Sequence, residues 1–165
     1  MTMPQLDTRE FRNALGQFPT GVTVVTTKDR DGNKIGMTAN SFSSVSLDPM
    51  LVLWSVAKNC KAFDAFNEAE YFAIHVLSAD QQSLSNQFAS NCEDRFAGIA
   101  HREGHGGIPV LDDYSAAFQC EIEARYEGGD HIILVGKVVE FDNKAQAPLI
   151  FHAGRYADLD VPVAV

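Results

Sequence analysis

Ala116 to Phe141 reads AAFQCEIEARYEGGDHIILVGKVVEF, and this stretch decides the fold. Phe118, Cys120, Ile122, Ala124 and Tyr126 alternate with Gln119, Glu121, Glu123 and Arg125. That is the period of a half-buried strand. Gly128-Gly129-Asp130 turns the chain, and His131 to Phe141 returns as an antiparallel partner. Working outward, Gly21 to Thr27 (GVTVVTT) is β-branched and reads as a strand. Asp31-Gly32 signals a hairpin into a second strand, Ile35 to Ser41. Ser43 to Ser46 leads into a turn at Leu47-Asp48-Pro49. Met50 to Val56 (MLVLWSV) is almost wholly apolar, which predicts burial on both faces. Tyr71 to Leu77 and Pro148 to His152 complete about seven strands.

Three short helices are expected around them. Asp7-x-x-Glu10 has capping-box spacing, Phe11, Leu15 and Phe18 share one apolar face, and Pro19 ends the helix. Ala62, Phe63 and Phe66 lie on one side of a helix from Cys60 to Glu68. Ser78-x-x-Gln81 is placed to cap a third helix whose stripe is Leu84 and Phe88. Asn91 to Asp113 reads as a long irregular connection, a length often associated with function. No regular βαβ alternation occurs. A mainly β antiparallel barrel with peripheral short helices follows, rather than a doubly wound sheet.

At 165 residues, with 45% apolar and 21% charged residues, the chain suits a single globular domain with its own core. The core is expected over residues 11–156, with a tail at 157–165. Thirteen Lys and Arg against 22 Asp and Glu leave a net charge of -9. Such a surface is poorly suited to nucleic acid or to anionic lipid. MTMPQLDTREF lacks a basic segment followed by an apolar run, and no stretch is long enough to span a bilayer. Cys60, Cys92 and Cys120 are odd in number and widely spaced, which fits reduced thiols in a cytoplasm. His101 and His105 sit in a glycine-rich segment without further ligands beside them, so no metal site is expected.

Candidate chemistry concentrates in Gly36 to Ala57, GMTANSFSSVSLDPMLVLWSVA, whose only charged residue is Asp48. Its hydroxyls are Thr38, Ser41, Ser43, Ser44, Ser46 and Ser55, with the amide of Asn40 among them. These could bond the backbone at a strand edge, or form a neutral polar cradle for a flat heterocycle. Lys58 and Lys61 follow directly at the start of a helix, which is either a solvated pair or a phosphate site. Gly129-Asp130-His131 places a histidine at a barrel rim, either as a turn residue or as a ligand contact. The sequence lacks G-x-G-x-x-G after a strand and G-x-x-x-x-G-K-[ST], so a nucleotide would be held another way.

Several motifs in order carry a resemblance to a known family. They are Phe18-Pro19-Thr20-Gly21-Val22, Gly36-Met37-Thr38-Ala39-Asn40-Ser41-Phe42 and Ser43-Ser44-Val45-Ser46-Leu47-Asp48-Pro49. Gln87-Phe88-Ala89, Asp94-Arg95-Phe96, Gly129-Asp130-His131 and Pro148-Leu149-Ile150-Phe151 follow. From about Phe11 to Tyr156 the chain resembles the short-chain flavin reductases, the reductase components of two-component flavin-dependent monooxygenases. The resemblance implies a split β-barrel that binds FMN or FAD, forms a homodimer, and reduces flavin with NADH or NADPH for a monooxygenase partner. It places Met37, Thr38, Ala39, Asn40 and Ser41 against the isoalloxazine, with Trp54, Ser55 and Val56 on the next strand. Asn59, Cys60 and Lys61 would lie by the ribityl phosphate, and Ala89, Ser90, Arg95 and Phe96 would also touch the flavin. His131 would position the nicotinamide, with no side chain needed as acid or base while hydride passes from C4 to flavin N5. Cys60 stands where the family often has Ser, and a thiol is a weaker donor. Other readings are a flavin-binding electron carrier without a nicotinamide site, a relative of heme-utilisation or pyridoxamine-phosphate oxidase barrels, and a purely structural homodimer.

Overall fold

The computed structural model describes residues 4–159; residues 1–3 and the end of the expected tail, 160–165, lie outside them. In chain order the elements are α1 (Thr8–Leu15), β1 (Thr20–Gly21), β2 (Thr23–Lys28), β3 (Lys34–Ala39), β4 (Ser43–Leu47) and β5 (Met50–Ala57). Then come α2 (Phe63–Glu68), β6 (Tyr71–Val76), α3 (Gln82–Ala89), β7 (His101–Glu103), a 3-10 turn (His105–Gly107) and β8 (Pro109–Leu111). The long hairpin of β9 (Ala116–Gly128) and β10 (His131–Asn143) follows, then β11 (Ile150–His152) and β12 (Arg155–Ala157).

The hairpin read from the sequence is the centre of the main sheet. Its order is β3-β2-β6-β9-β10-β5-β4, seven strands, with antiparallel pairing throughout. Register shifts at Val135/Gly136 and Val138/Glu140 interrupt the β9–β10 ladder, and such bulges increase local bend and twist. The sheet curls until residues from both its ends enter one core. Val25 from β2, Val52, Trp54 and Val56 from β5, and Ile132 and Leu134 from β10 meet Phe66 and Phe72, with Met37 and Phe42 packed against them. Trp54 meets Phe66 edge-on at 4.8 Å between ring centroids. This is the mainly β split barrel that the sequence predicts. A second core, with Val24, Leu77, Phe88, Phe96 and Leu111, seats α3 and the following loop on the barrel.

Several sequence expectations need correction. Ser43 to Leu47 is the edge strand β4, not only an approach to a turn, and it joins the main sheet in place of the 148–152 segment. That segment shortens to β11 and belongs to a separate sheet, β1-β11-β12. β5 is not buried on both faces: Val52, Trp54 and Val56 enter the core, whereas Leu51, Leu53 and Ser55 on the other face are only half-buried. Ser78 does not cap α3. The helix begins at Gln82, and Gln81 reaches back so that its Oε1 accepts from the Ser78 N–H at 2.9 Å. The 91–113 connection contains the β7–β8 hairpin. Gln119 breaks the alternation of β9 because it is buried and its Oε1 accepts from the His105 N–H at 2.8 Å. On α1 the Asp7 cap is formed, accepting from the Arg9 and Glu10 amides, yet the helix has no buried residue.

His75 on β6 pins the β7–β8 hairpin to the barrel. The ring is fully buried, with Nδ1 2.9 Å from the Val24 carbonyl oxygen and Nε2 3.0 Å from the Leu111 nitrogen. A carbonyl can only accept and an amide N–H can only donate, so Nδ1 carries the hydrogen and the imidazole is neutral. Burial pushes its pKa down from 6.5 to about 4, against the opposing effect of the Val24 bond. The folded chain therefore binds this proton less readily than the unfolded one. Stability from His75 is complete above 6.5 and is lost as pH falls toward 4. Between pH 7.5 and 5.5 the loss is on the order of 1 kcal/mol. Urea unfolding of the wild-type chain and of His75→Gln at both pH values should show this difference in slope. Identical pH dependence in the two proteins would refute it.

Candidate functional site

The chemistry-bearing segments meet in a cleft of about 580 Å³ on the outer side of β3. One wall is β3 itself, Lys34 to Thr38. A second is the turn after β5, Asn59 to Ala62. The third is the end of α3 and its loop, with Phe88, Ala89 and Asn91 to Phe96. Ile35, Met37, Phe88 and Phe96 make an apolar interior, while Lys34, Lys61 and Arg95 bring positive charge and Glu93 and Asp94 negative charge.

Gly36 makes this arrangement possible. A Cβ there would stand 2.6 Å from Cε1 of Phe88 and 3.1 Å from Cζ of Phe96. Only a residue without a side chain lets both rings lie against the strand, where they meet each other edge-on at 5.0 Å. Arg95 then ties the loop to the strand. Its Nε donates to the Ser90 carbonyl at 2.9 Å and its Nη1 to the Gly36 carbonyl at 2.8 Å. Gln87 holds the same loop by donating to the carbonyls of Arg95 and Ala97 at 2.8 and 2.9 Å.

Of the residues expected from the sequence, Met37, Thr38, Asn59, Cys60, Lys61, Ala89, Arg95 and Phe96 line the cleft together. Ala39, Asn40 and Ser41 continue from its β3 wall, and Ser90 stands within its loop wall. Trp54 and Val56 do not face it. Both are fully buried in the barrel core, because the period of β5 turns the even-numbered residues inward. Sequence reasoning missed Lys34, Phe88, Asn91, Cys92, Glu93 and Asp94 as lining residues. The apolar MLVLWSV run hid the facing of β5, and nothing local marked Lys34.

The hydroxyls resolve largely into backbone bonding. Thr38 Oγ1 donates to the Ser85 carbonyl at 2.6 Å, tying β3 to α3. Ser41 Oγ accepts from the Ser55 N–H at 3.0 Å and donates to the Ser55 carbonyl at 3.2 Å. One side chain thus crosses the seam between the two ends of the sheet. Asn40 Nδ2 lies 3.3 Å from Thr20 Oγ1. These contacts fix the polar lip and leave acceptor lone pairs and backbone groups to meet a ligand.

His131 stands on the neighbouring rim, paired with Ala57, the residue before the Lys58–Lys61 turn. Its Nδ1 lies 2.7 Å from Asp130 Oδ1. The hydrogen bond and charge of His131 hold the Asp130 carboxyl below its ordinary range. Lys58 is engaged elsewhere, with its ammonium on Glu127 and its N–H on the Asp130 carbonyl. His101 and His105 turn to separate partners, Lys34 and Glu140, and no metal-ligating cluster occurs among the described residues. No helix among them is long and apolar enough to cross a membrane.

An apolar slot with cationic ends suits a flat heterocycle carrying phosphate. The flavin that the resemblance implies fits the residues present. Gly36→Ala tests how the slot is built. Overpacking against Phe88 should destabilise the chain by about 1–3 kcal/mol in urea unfolding. Adding Phe88→Leu should recover part of that loss, and strict additivity of the two changes would speak against the contact.

Comparison with known proteins agrees with this geometry. The flavin reductase like domain family model matches residues 15–160. The FMN reductase (NADH) SmoA of Agrobacterium fabrum is 49% identical over 91% of this chain and 85% of its own. The reductase component of the flavin-dependent trigonelline monooxygenase of Acinetobacter baylyi is 45% identical over 90% of this chain and 48% of its own. The solved NADH:FAD oxidoreductase SgcE6 of Streptomyces globisporus, in complex with NAD and FAD fragments, is 36% identical. It superimposes with a TM-score of 0.89, covering 100% of this chain and 99% of that one. The chain spans about half the length of some of the curated relatives it matches. With the motif residues Gly36 to Thr38, Phe88, Ala89 and Asp94 to Phe96 gathered on one cleft of a split barrel, the chain belongs to the flavin reductase like domain family.

Proposed function

We propose that the chain is an NAD(P)H:flavin oxidoreductase, one flavin-binding domain that reduces FMN or FAD for a monooxygenase partner. The observation that carries this reading is the junction of the apolar β3–α3 slot with Lys61 and, one strand away, His131. The names of the relatives support flavin and NADH as the reacting pair. The Acinetobacter relative, a reductase component, supports an oxygenase as recipient.

Bound flavin supplies the hydride-accepting centre, and the protein supplies position and electrostatics. Met37, Phe88 and Phe96 keep water from the slot. Lys61 and the Asn59–Cys60 turn hold phosphate, with the Cys60 backbone N–H bonded to the Ala57 carbonyl at 3.2 Å. Lys61 therefore carries the charge pairing there. Backbone N–H groups around Asn40 to Phe42 would face the flavin ring and favour negative charge on it. Arg95, anchored to two carbonyls, shapes the slot and adds positive potential. His131 donates its Nδ1 hydrogen to Asp130, and its Nε2 remains to hydrogen-bond a nicotinamide carboxamide, whose oxygen accepts and whose amide donates.

A homodimer completes the assembly in this reading. Phe11, Leu15 and Phe18 on and after α1 are 63%, 59% and 76% exposed, and Leu47 and Met50 at the β4–β5 turn also face outward. A second copy is the occupant that buries such faces in both subunits at once. The free thiols Cys60, Cys92 and Cys120 fit the cytoplasm as its location.

Purified chain should consume NADH or NADPH when FMN or FAD is added, and silence with every combination would remove the enzyme reading. Rapid mixing of flavin-loaded protein with NADH separates a reductase from a carrier reduced by another protein. His131→Ala should raise KM for the nicotinamide more than it changes flavin affinity, and equal changes would remove its assignment. In sedimentation, the double variant Phe11→Asp with Leu15→Asp should shift a dimer to monomer. A wild-type monomer at the same concentration would contradict the assembly.

A further inference from the structure

The cleft holds a cation that the reading above does not use. Lys34 opens β3, and its ammonium lies 2.9 Å from Nε2 of His101. Nδ1 of the same ring lies 2.7 Å from the Ile99 carbonyl oxygen, which can only accept. Nδ1 therefore carries the hydrogen, and Nε2 presents a lone pair to Lys34. The ring is fixed a second time, edge-on against Phe96 at 5.3 Å between centroids. Phe96 itself lines the cleft.

An exposed lysine usually pays considerable entropy when it is held in one place. Here the lysine is already directed by a ring that is itself held at two points. A neutral imidazole orients the ammonium without cancelling its charge. The other basic residues nearby differ in this respect. Lys58 is paired with Glu127, and Arg95 donates from two of its nitrogens to carbonyls of its own chain. The ammonium of Lys34 keeps two further hydrogens for a ligand. Of the carboxylates in the same lining, Asp94 accepts from the Phe96 N–H at 3.0 Å, and Glu93 is the negative charge that a ligand phosphate must outweigh.

The position along the strand says which phosphate this cation could meet. Lys34 and Asn40 are six residues apart, about 20 Å at the rise of an extended strand. The flavin ring is assigned to the Asn40 end, beside the His131 rim. Lys61, in the turn after β5, faces the same cleft from another wall and is assigned the phosphate next to the ribityl chain. The single phosphate of FMN is engaged by Lys61 and its turn in this reading, which leaves Lys34 across the cleft for another phosphate. The second phosphate of a dinucleotide extends farther.

We infer that Lys34, positioned by His101, binds the adenosine-side phosphate of FAD and makes this chain prefer FAD to FMN. The inference rests on the proposal that the cleft binds flavin. Lys34 is a binding residue here, and His101 is a positioning residue acting through it.

The test is calorimetric titration of the full chain with oxidised FAD and oxidised FMN, without nicotinamide. Wild type should bind FAD more tightly. Lys34→Met should weaken FAD by about tenfold, the scale of one charge-assisted phosphate contact, and leave FMN within about twofold. FMN binding also reports that the variant is folded. His101→Phe keeps the packing on Phe96 but removes the acceptor, so it should lower the ratio of FAD to FMN affinity. His101→Gln, whose amide oxygen can accept from Lys34, should restore much of that ratio. Equal weakening of both flavins by Lys34→Met, or no weakening of FAD, overturns the inference while leaving the flavin site in place. Failure of wild type to bind either flavin overturns the functional reading itself.

Discussion

The cleft depends on how the outer edge of β3 is satisfied. β3 pairs with β2 on one side only, and an unpaired edge offers backbone groups to any passing strand. In this chain α3 and its loop cover that edge. Gly36 has no side chain, so Phe88 and Phe96 can press against the strand. Arg95 donates to the Gly36 carbonyl, and Thr38 donates to the carbonyl of Ser85 on the helix. The covering stops short of closure, and the gap it leaves is the cleft. An edge-protection problem and a binding site share one solution.

The opposite end of the sheet is tied in a different way. Ser41 bonds both the N–H and the carbonyl of Ser55, so a single hydroxyl performs part of the work of a missing strand pair. Behind that seam the aromatic core of Trp54, Phe66 and Phe72 fixes the curl. The Trp54 Nε1 is the one buried side-chain nitrogen or oxygen without a partner among the described residues, a cost accepted for filling that space. The C-terminal strands buttress the second core, where Phe151 and Tyr156 pack. Tyr156 Oη lies 2.7 Å from Ser85 Oγ, on the helix that Thr38 grips from the other side. Elements far apart in sequence thus converge on α3.

Electrostatics follows from this geometry. The chain carries a net charge of -9, which would repel a phosphate-bearing ligand at long range. The cleft offsets that locally by bringing together Lys34 and Lys61 from different turns of the chain and Arg95 from a third. The β7–β8 hairpin is drawn into the same scheme. His75 holds one of its strands to the barrel, and His101 in the other touches Lys34. A segment that reads as an irregular loop therefore helps organise the rim.

The sequence by itself determined most strands of the main sheet, because alternation and β-branched runs report burial directly. It also determined the antiparallel hairpin, since Gly128-Gly129-Asp130 leaves no room for a crossover. Family motifs brought Met37, Thr38, Asn59, Cys60, Lys61, Arg95 and Phe96 into view as one site, and they do share one cleft. Only the tertiary structure decided which way β5 faces. Every residue from Met50 to Leu53 is apolar, so the pattern carries no phase, and the curl of the sheet sends Trp54 and Val56 inward. Only it showed that Gly36 is a packing site and that Lys34 meets His101, 67 residues later. Such contacts are made across the fold, where local spacing and propensity leave no trace.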